Sequence, residues 1–129
     1  REKPSYRNAW KQRKYAITLL DNFYEPHYES GKAERWKIEL AAKEPFGIAS
    51  LWETWTDPSS GELVTSFTML TVNADEHPVM KQFHRLGDEK RTPVVLSTSQ
   101  FDQWLSADET QAMAMMKWHN MPHLFAMKA

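Results

Sequence analysis

A β-hairpin is indicated between residues 46 and 72, where the chain reads FGIASLWETW (46–55), DPSSG (57–61) and LVTSFTMLTV (63–72). The two outer runs are rich in β-branched and aromatic residues, and the segment between them is short and polar and contains proline and glycine. Two such runs joined by a short polar loop are typical of antiparallel neighbours. The sequence therefore predicts a strand over 46–55 that pairs with a strand over 63–72.

Further strands are predicted on both sides of this hairpin. Residues 15–24 read as two strand pieces separated by Asp21 and Asn22, and residues 93–96 read as a short buried strand. Residues 35–40 alternate strictly between polar and apolar side chains, which predicts a half-buried strand. Its inward side chains are expected to be Trp36, Ile38 and Leu40.

Helices are predicted between and before the strands, and they are short. Residues 3–14 read as an amphipathic helix and residues 76–84 as one or two helical turns. Ser97–Gln100 matches a capping box that opens a helix, and Ser106–Glu109 repeats that signal before a Met-rich helix. The tail from Trp118 shows no clear period. We therefore expect an α+β fold, a mixed antiparallel, barrel-like sheet with short flanking helices, in a single domain over residues 1–129.

The composition excludes several classes of protein. The 129 residues contain no Cys, so they hold no disulfide scaffold, no zinc knuckle and no thiol nucleophile. No apolar run approaches the roughly 20 residues of a membrane span, and no signal-peptide pattern precedes the first predicted helix. The four glycines lie in no G-x-G context, which argues against a nucleotide-binding loop, and no G-x-S-x-G nucleophile elbow is present.

Charge is distributed unevenly although the formal net charge is only −1. Residues 1–14 carry six Lys and Arg against Glu2 alone, whereas the remaining residues carry 10 basic and 16 acidic groups. One interpretation of this segment is a contact with a polyanion such as nucleic acid. The other is the wet face of a surface helix, for which Lys and Arg are good residues. The sequence leaves both open.

Glu25 is the clearest candidate for a catalytic residue. Strand alternation puts its carboxyl on the same side as Phe23 and opposite Tyr24. A carboxyl on an apolar side must be paired, protonated or functional, because a bare buried carboxylate is costly. The alternative is a frayed strand end beside Pro26 that leaves Glu25 in water.

A charged, glycine-containing run over residues 83–93 leads into the predicted buried strand. Charged loops of this kind are commonly ordinary solvent-exposed surface, but they are also where binding or catalytic sites are placed. Within it, His84 lies near acidic residues, as does His77 before it. Their spacing matches no specific ligand pattern, so no metal site is predicted. Trp52 lies inside a predicted strand, where core packing is the expected role and support of a cleft is the alternative.

Several segments in the same order resemble the SRAP family of SOS response-associated peptidase-like proteins. No single segment is specific, but their order across residues 3–105 is. They are Lys3-Pro4-Ser5-Tyr6-Arg7, Asn22-Phe23-Tyr24-Glu25, Gly47-Ile48-Ala49-Ser50-Leu51-Trp52-Glu53, Thr68-Met69-Leu70-Thr71-Val72-Asn73-Ala74, His84 followed by Arg91-Thr92-Pro93-Val94-Val95-Leu96, and Asp102-Gln103-Trp104-Leu105.

The resemblance implies a sensor of abasic sites in single-stranded DNA that becomes covalently linked to the DNA. The family's amino-terminal Cys condenses with the ring-opened sugar aldehyde to a thiazolidine. By motif position, Glu25 and His84 are the implied catalytic residues, which assist proton transfer. Arg91 is the implied phosphate ligand, Thr71 lines the DNA cleft, and Arg7 in the basic segment is a further DNA-binding candidate.

Departures from the family pattern accompany this resemblance. The amino-terminal Cys and the family's Asn-Ala-Arg-Ala-Glu stretch are absent, so the chain is expected to be the carboxy-terminal portion of the domain. Asn22 replaces a Gly, Pro26 replaces an aromatic residue, and residues 86–90 lengthen the segment between His84 and Arg91.

The resulting expectations concern function, partners and location. The expected function is abasic-site crosslinking, an enzyme-like activity whose nucleophile this chain does not hold. The alternatives are a non-covalent single-stranded DNA-binding or protein-interaction module, and a peptidase that processes its own leader. We expect no cofactor, no metal and no membrane partner, abasic single-stranded DNA as the partner, and a cytoplasmic location, at the nucleoid in a bacterium. The sequence predicts no oligomeric state.

Overall fold

The computed structural model describes residues 6–85 and 87–129, and in them short helices surround three antiparallel sheets. The α-helices are α1 (Arg7–Lys11), α2 (Phe101–Leu105) and α3 (Glu109–Met115). Turns of 3-10 helix cover Met80–Gln82, Thr98–Gln100 and Trp118–Asn120. The strands are β1 (Tyr15–Leu20), β2 (Phe23–His27), β3 (Glu34–Leu40), β4 (Phe46–Thr56), β5 (Leu63–Met69), β6 (Thr71–Asn73), β7 (Arg91–Pro93), β8 (Val95–Ser97) and β9 (Leu124–Lys128).

The first sheet, sheet A, is built on the predicted hairpin. Its order is β1-β4-β5, and β8 also pairs with β4. Strand β4 has 11 residues, so its first half pairs with β1 and β8 while its second half pairs with β5. The hairpin turn closes through the N–H of Asp57, which donates to the carbonyl of Glu62 at 2.8 Å, and Gly61 has the positive φ of 75° that glycine adopts readily.

The second sheet, sheet B, has the order β2-β3-β9, and its strand β2 contains the candidate catalytic residue Glu25. The predicted alternation of β3 is confirmed, since Ile38 and Leu40 are buried and Trp36 is half-buried on the same face. Strand β9 was not predicted. Its partner among the described residues is β3, and its sequence, LFAMK, does not alternate between polar and apolar residues.

The third sheet, sheet C, pairs β6 with β7 and corrects one prediction. Residues 63–72 do not form one strand, because the chain leaves sheet A at Leu70. There a ring of backbone hydrogen bonds joins three segments: Leu70 N–H donates to Ala49, Ala49 N–H to Val94, and Val94 N–H to Leu70, each at 2.9 Å. This junction fixes the strand that begins at Arg91 against the hairpin.

The helix signals were confirmed at one site and wrong at another. Ser97 and Gln100 form the predicted capping box at the start of the 3-10 turn before α2. The predicted Ser106 cap is wrong, because Asp108 caps α3 and its side chain accepts from the N–H of Gln111 at 2.8 Å. Asp108 stands directly before the first helical residue, which the cap position requires, whereas Ser106 bonds back to the Asp102 carbonyl.

The core lies between sheet A and the helices on one side and between sheets A and B on the other. Trp104 of α2 is fully buried, and its Nε1–H donates to the carbonyl of Ala16 in β1 at 3.0 Å. Tyr15 lies beside it at a ring distance of 4.7 Å. On the other face of sheet A, Phe46 meets Phe23 of sheet B edge to face at 6.2 Å.

The predicted α+β class with antiparallel sheets is confirmed. The pairings among residues 6–85 and 87–129 do not close into a barrel, so the word barrel-like describes the three sheets too loosely. Helix α1 covers only Arg7–Lys11 of the helix predicted over 3–14: the prediction is wrong for residues 12–14, where the helix has ended and Arg13 has a positive φ of 53°, and residues 3–5 lie outside the described residues. None of the helices in the described ranges has the length and apolar character needed to cross a bilayer.

Candidate nucleic-acid site

Glu25 lies in the middle of β2 on the face that points into the protein. Phe23, Glu25 and His27 share this face, and register places Glu25 opposite Trp36 of β3. The carboxyl is half-buried, and this burial raises its pKa above the usual value. The interpretation of Glu25 as a frayed, fully wet strand end is therefore wrong, because β2 continues for two residues beyond it.

His84 is held next to this strand by an aromatic cluster formed by His27, Trp36 and Phe83. The ring of His27 stacks on Trp36 at 4.7 Å, and Phe83, the residue before His84, meets both rings at 5.4 and 5.9 Å. Phe83 is buried, so it anchors the start of the charged run. The Nδ1 atom of His84 is itself buried and has no hydrogen-bond partner among the described residues.

Arg91 is oriented by a polar clamp on the neighbouring strand. Its Nε–H and Nη2–H donate to Oγ1 of Thr71 at 3.2 and 3.0 Å, and Nη2–H also donates to the Thr71 carbonyl at 2.7 Å. Its Nη1–H donates to Glu89 at 2.7 Å, which lowers the pKa of that exposed carboxyl. The guanidinium is thus fixed while its side chain remains 45% exposed.

Glu25, His84 and Arg91 line one open cavity of about 290 Å³. Strand β2 supplies the first, the anchored start of the charged run the second, and β7 the third. The longer segment between His84 and Arg91 therefore still returns both residues to one place. The other lining residues are Pro26, Tyr28, Phe83, Arg85, Asp88 and Glu89.

The two remaining predicted DNA ligands lie outside this lining. Thr71 contacts Arg91 directly and is exposed, so it belongs to the same patch through the clamp. Arg7 lies on α1, which packs against β4, and it is exposed there, away from the cavity. The structure therefore brings four of the five predicted site residues together, and Arg7 is not among the residues that line the cavity.

A second cavity of about 390 Å³ adjoins the first and shares Tyr28 and His84 with it. His27 lines it, and sequence reasoning missed this buried residue. Its Nδ1 accepts the N–H of Glu29 at 3.4 Å, and its Nε2 lies 3.3 Å from Oε1 of Gln82. The alternation that placed Glu25 inward also places the second residue after it inward, so the signal for His27 was present.

His77, which lies near acidic residues in the sequence, has a structural role. Nδ1 of His77 accepts the N–H groups of Val79 and Met80 at 3.1 and 3.0 Å and so starts the 3-10 turn, and burial lowers the pKa of the His77 imidazole. Within residues 6–85 and 87–129, no group of three or more His, Asp or Glu is arranged to hold a metal ion.

Comparison with solved structures supports this fold. A protein from Bordetella bronchiseptica superposes with a TM-score of 0.85 at 35% identity, over 96% of this chain and 58% of that chain. A protein from Bacteroides thetaiotaomicron superposes with a TM-score of 0.75 at 19% identity, over 98% of this chain and 53% of that one, and shares the fold alone.

Sequence comparison identifies curated relatives as well. The abasic site processing proteins YoqW and YobE of Bacillus subtilis (strain 168) are 30% and 29% identical to the chain over 110 residues. These residues are 84% of this chain but only 45% of YoqW, so the chain spans about half the length of the curated relatives it matches. The family model described as SOS response associated peptidase (SRAP) matches residues 1–128. The chain belongs to the SRAP family.

Proposed function

We propose that this chain supplies the phosphate-binding and proton-transfer groups of a site that processes abasic sites in single-stranded DNA. The observation that carries the proposal is the single open cavity lined by Glu25, His84 and Arg91. The names of the relatives YoqW and YobE, abasic site processing proteins, agree with this chemistry.

Arg91 is suited to hold a phosphate of the strand. A guanidinium presents planar donors that match two phosphate oxygens, and its charge is permanent. The Thr71 clamp holds the fork in place before a strand arrives, which lowers the entropy lost on binding. A phosphate would replace Glu89 as the anionic partner of Nη1.

Glu25 is suited to proton transfer at the sugar. When an amine adds to the ring-opened aldehyde, the carbinolamine hydroxyl must take up a proton to leave as water. A carboxyl whose pKa is raised by burial keeps its proton closer to neutral pH than an ordinary Glu, so it can donate that proton and recover one later. His84, which lines the same cavity, is the second candidate for this transfer.

The nucleophile that the family resemblance implies is the amine and thiol of an amino-terminal Cys. The 129 residues contain no Cys. We therefore expect this chain to bind abasic DNA without crosslinking to it, and to accelerate the reaction when a nucleophile is supplied.

The experiment has two measurements on the 129-residue chain. Fluorescence anisotropy compares its affinity for a labelled single-stranded oligonucleotide containing one abasic site with that for the same oligonucleotide without the site. The second follows thiazolidine formation between the abasic oligonucleotide and a short peptide with an amino-terminal Cys, with and without the chain. Acceleration that is lost in Glu25→Gln and His84→Ala supports the proposal, and equal rates in all variants would remove both residues from the mechanism.

A second candidate function is non-covalent binding of single-stranded DNA, which the absence of Cys from the 129 residues favours. In that case the two oligonucleotides bind equally well and the peptide reaction proceeds at its uncatalysed rate. Self-cleavage of a leader stays an untested prediction.

A further inference from the structure

The β4–β5 hairpin presents an apolar face to solvent. Register places Trp52 opposite Phe67 and Ser50 opposite Met69, so these side chains share one face, and Leu63 lies farther along it. The exposed fractions are 37% for Trp52, 59% for Phe67, 49% for Met69 and 75% for Leu63. Trp52, which was expected to pack in the core, is therefore only partly buried. We call these four residues the hairpin face.

The hairpin face continues an inner surface of the protein. Alternation along β4 places Trp52 on the side of Phe46, Ile48 and Ser50, which are all buried. Phe46 contacts Phe23 of β2, and Phe23 shares its side of β2 with Glu25. The hairpin face therefore lies on the side of sheet A that is directed toward β2 of sheet B. It is beyond the part of that side which sheet B covers.

The hairpin face also ends beside the phosphate clamp. Thr71 holds Arg91 and follows Met69 by two residues and Phe67 by four. Even a fully extended chain spans no more than about 3.6 Å per residue, so Met69 lies within about 7 Å and Phe67 within about 14 Å of Thr71 along the backbone. A strand bound at Arg91 could therefore reach the hairpin face within a few nucleotides.

The charges around the hairpin face suit a polyanion. The eight positions on this side of the β4–β5 hairpin, which include the four of the hairpin face, hold no ionisable residue; they are 50, 52, 54 and 56 on β4 and 63, 65, 67 and 69 on β5. Nζ of Lys14 lies 5.0 Å from the centre of the Trp52 ring, although it also pairs with Glu53 at 2.8 Å. Residues 6–14 include four Lys and Arg and no acid. Cations thus lie near the part of the face formed by Trp52, Phe67 and Met69, with Lys14 beside Trp52 and Arg91 clamped to Thr71, two residues beyond Met69.

We propose that the hairpin face is a stacking surface for the bases of single-stranded DNA next to the nucleotide held by Arg91. Exposed aromatic rings with cations beside them bind single strands because every base offers a π-face to stack on and every phosphate a negative charge. The inference rests on the proposed function for the identity of its ligand. It adds binding of ordinary nucleotides, which requires no abasic site.

The test uses the 129-residue chain and a labelled oligothymidylate without an abasic site, with binding followed by fluorescence anisotropy. Trp52→Leu and Phe67→Leu remove the rings but keep apolar side chains. Because a stacked base contributes about 1–3 kcal/mol, we expect each change to weaken binding about 5- to 150-fold.

The matched control is Phe125→Leu. Phe125 is 44% exposed on β9 and has Nζ of Lys43 4.7 Å from its ring centre, so it offers the same chemistry on a different surface. We expect this variant to bind like the parent chain. Circular dichroism and urea unfolding verify that all three variants fold.

Each outcome decides the inference. Weaker binding in both hairpin variants but not in Phe125→Leu supports it, and unchanged binding in both overturns it. Self-association of the chain that Phe67→Leu abolishes would give the face to a second copy and also overturn it. Arg91→Ala separates the two proposals: loss of binding in Arg91→Ala together with unchanged hairpin variants retains the phosphate site and removes the stacking surface. The reverse pattern retains the stacking surface and removes the phosphate site.

Discussion

Removal of the Arg91 guanidinium is expected to change both the affinity for single-stranded DNA and its dependence on salt. Arg91 is fixed by three donated hydrogen bonds to Thr71 and by its ion pair with Glu89. Its side chain is 45% exposed, so a phosphate oxygen can approach the fork without displacing core residues. Arg91→Ala removes the charge and the fork together, whereas Thr71→Val keeps the charge and removes the side-chain part of the clamp.

The magnitudes differ between the two variants. A hydrogen bond to a charged group contributes about 1.5–3 kcal/mol, and the exposure of Arg91 favours the lower end, so Arg91→Ala should weaken binding about tenfold. Loss of one phosphate contact should also reduce the slope of log K against log salt by about 0.7. Thr71→Val removes the two bonds to Oγ1 and leaves the carbonyl bond, so the cost is that of ordering one side chain, about 0.5–1.5 kcal/mol, with no change in slope.

The assay is anisotropy of a labelled single-stranded oligonucleotide titrated at several salt concentrations. Arg35→Ala is the control, because Arg35 is exposed and lies 3.9 Å above the Tyr24 ring on the outer face of sheet B. Glu89→Gln should strengthen binding, since the phosphate no longer competes with a carboxylate for Nη1 of Arg91. If Arg91→Ala changes neither affinity nor slope, or if Arg35→Ala lowers both as much, Arg91 is not the phosphate ligand.

Three further predictions concern stability. The pKa of Glu25 is raised in the folded protein, so its contribution to the free energy of unfolding is full below the ordinary Glu pKa and is lost as pH rises through the raised value. Urea unfolding across this pH range should therefore show a fall in stability that Glu25→Gln lacks. Parallel stability curves for the parent chain and the variant would contradict this prediction. Gly47→Ala should cost about 1–3 kcal/mol in the same assay, because a Cβ there would clash with the Ile17 side chain and would also meet Phe101 at 2.9 Å; a neutral result would mean that both side chains move aside. Asp108→Ala should cost about 0.5–2 kcal/mol as a lost cap, more than Ser106→Ala; the opposite order would restore Ser106 as the cap.

Local patterns predicted the strands of this fold well. The alternation of β3 and the polar turn of the hairpin depend only on neighbouring residues, and both are present in the structure. Strand β9 and the break at Leu70 depend on partners far along the chain. Neither leaves a periodic signal, so the sequence did not reveal them.

The candidate site shows the same division. The position of Glu25 followed from alternation, and the interest of the run 83–93 followed from its charge and its glycine. The convergence of His84 and Arg91 was expected only from family resemblance. In the structure it depends on the packing of Phe83 against two rings and on the Thr71 clamp, which are tertiary contacts that spacing does not encode.

The ring of hydrogen bonds among Ala49, Leu70 and Val94 bears on how far the family can diverge. All its donors and acceptors belong to the backbone, so every residue type except proline can supply them. The ring itself therefore requires no particular side chain to keep the strand of Arg91 against the hairpin, although Ala49 and Val94 are buried and core packing limits what can replace them. This is consistent with a fold that persists at 19% identity in the Bacteroides protein. It also means that proline at any of the three positions is the substitution that lineages retaining this arrangement should avoid.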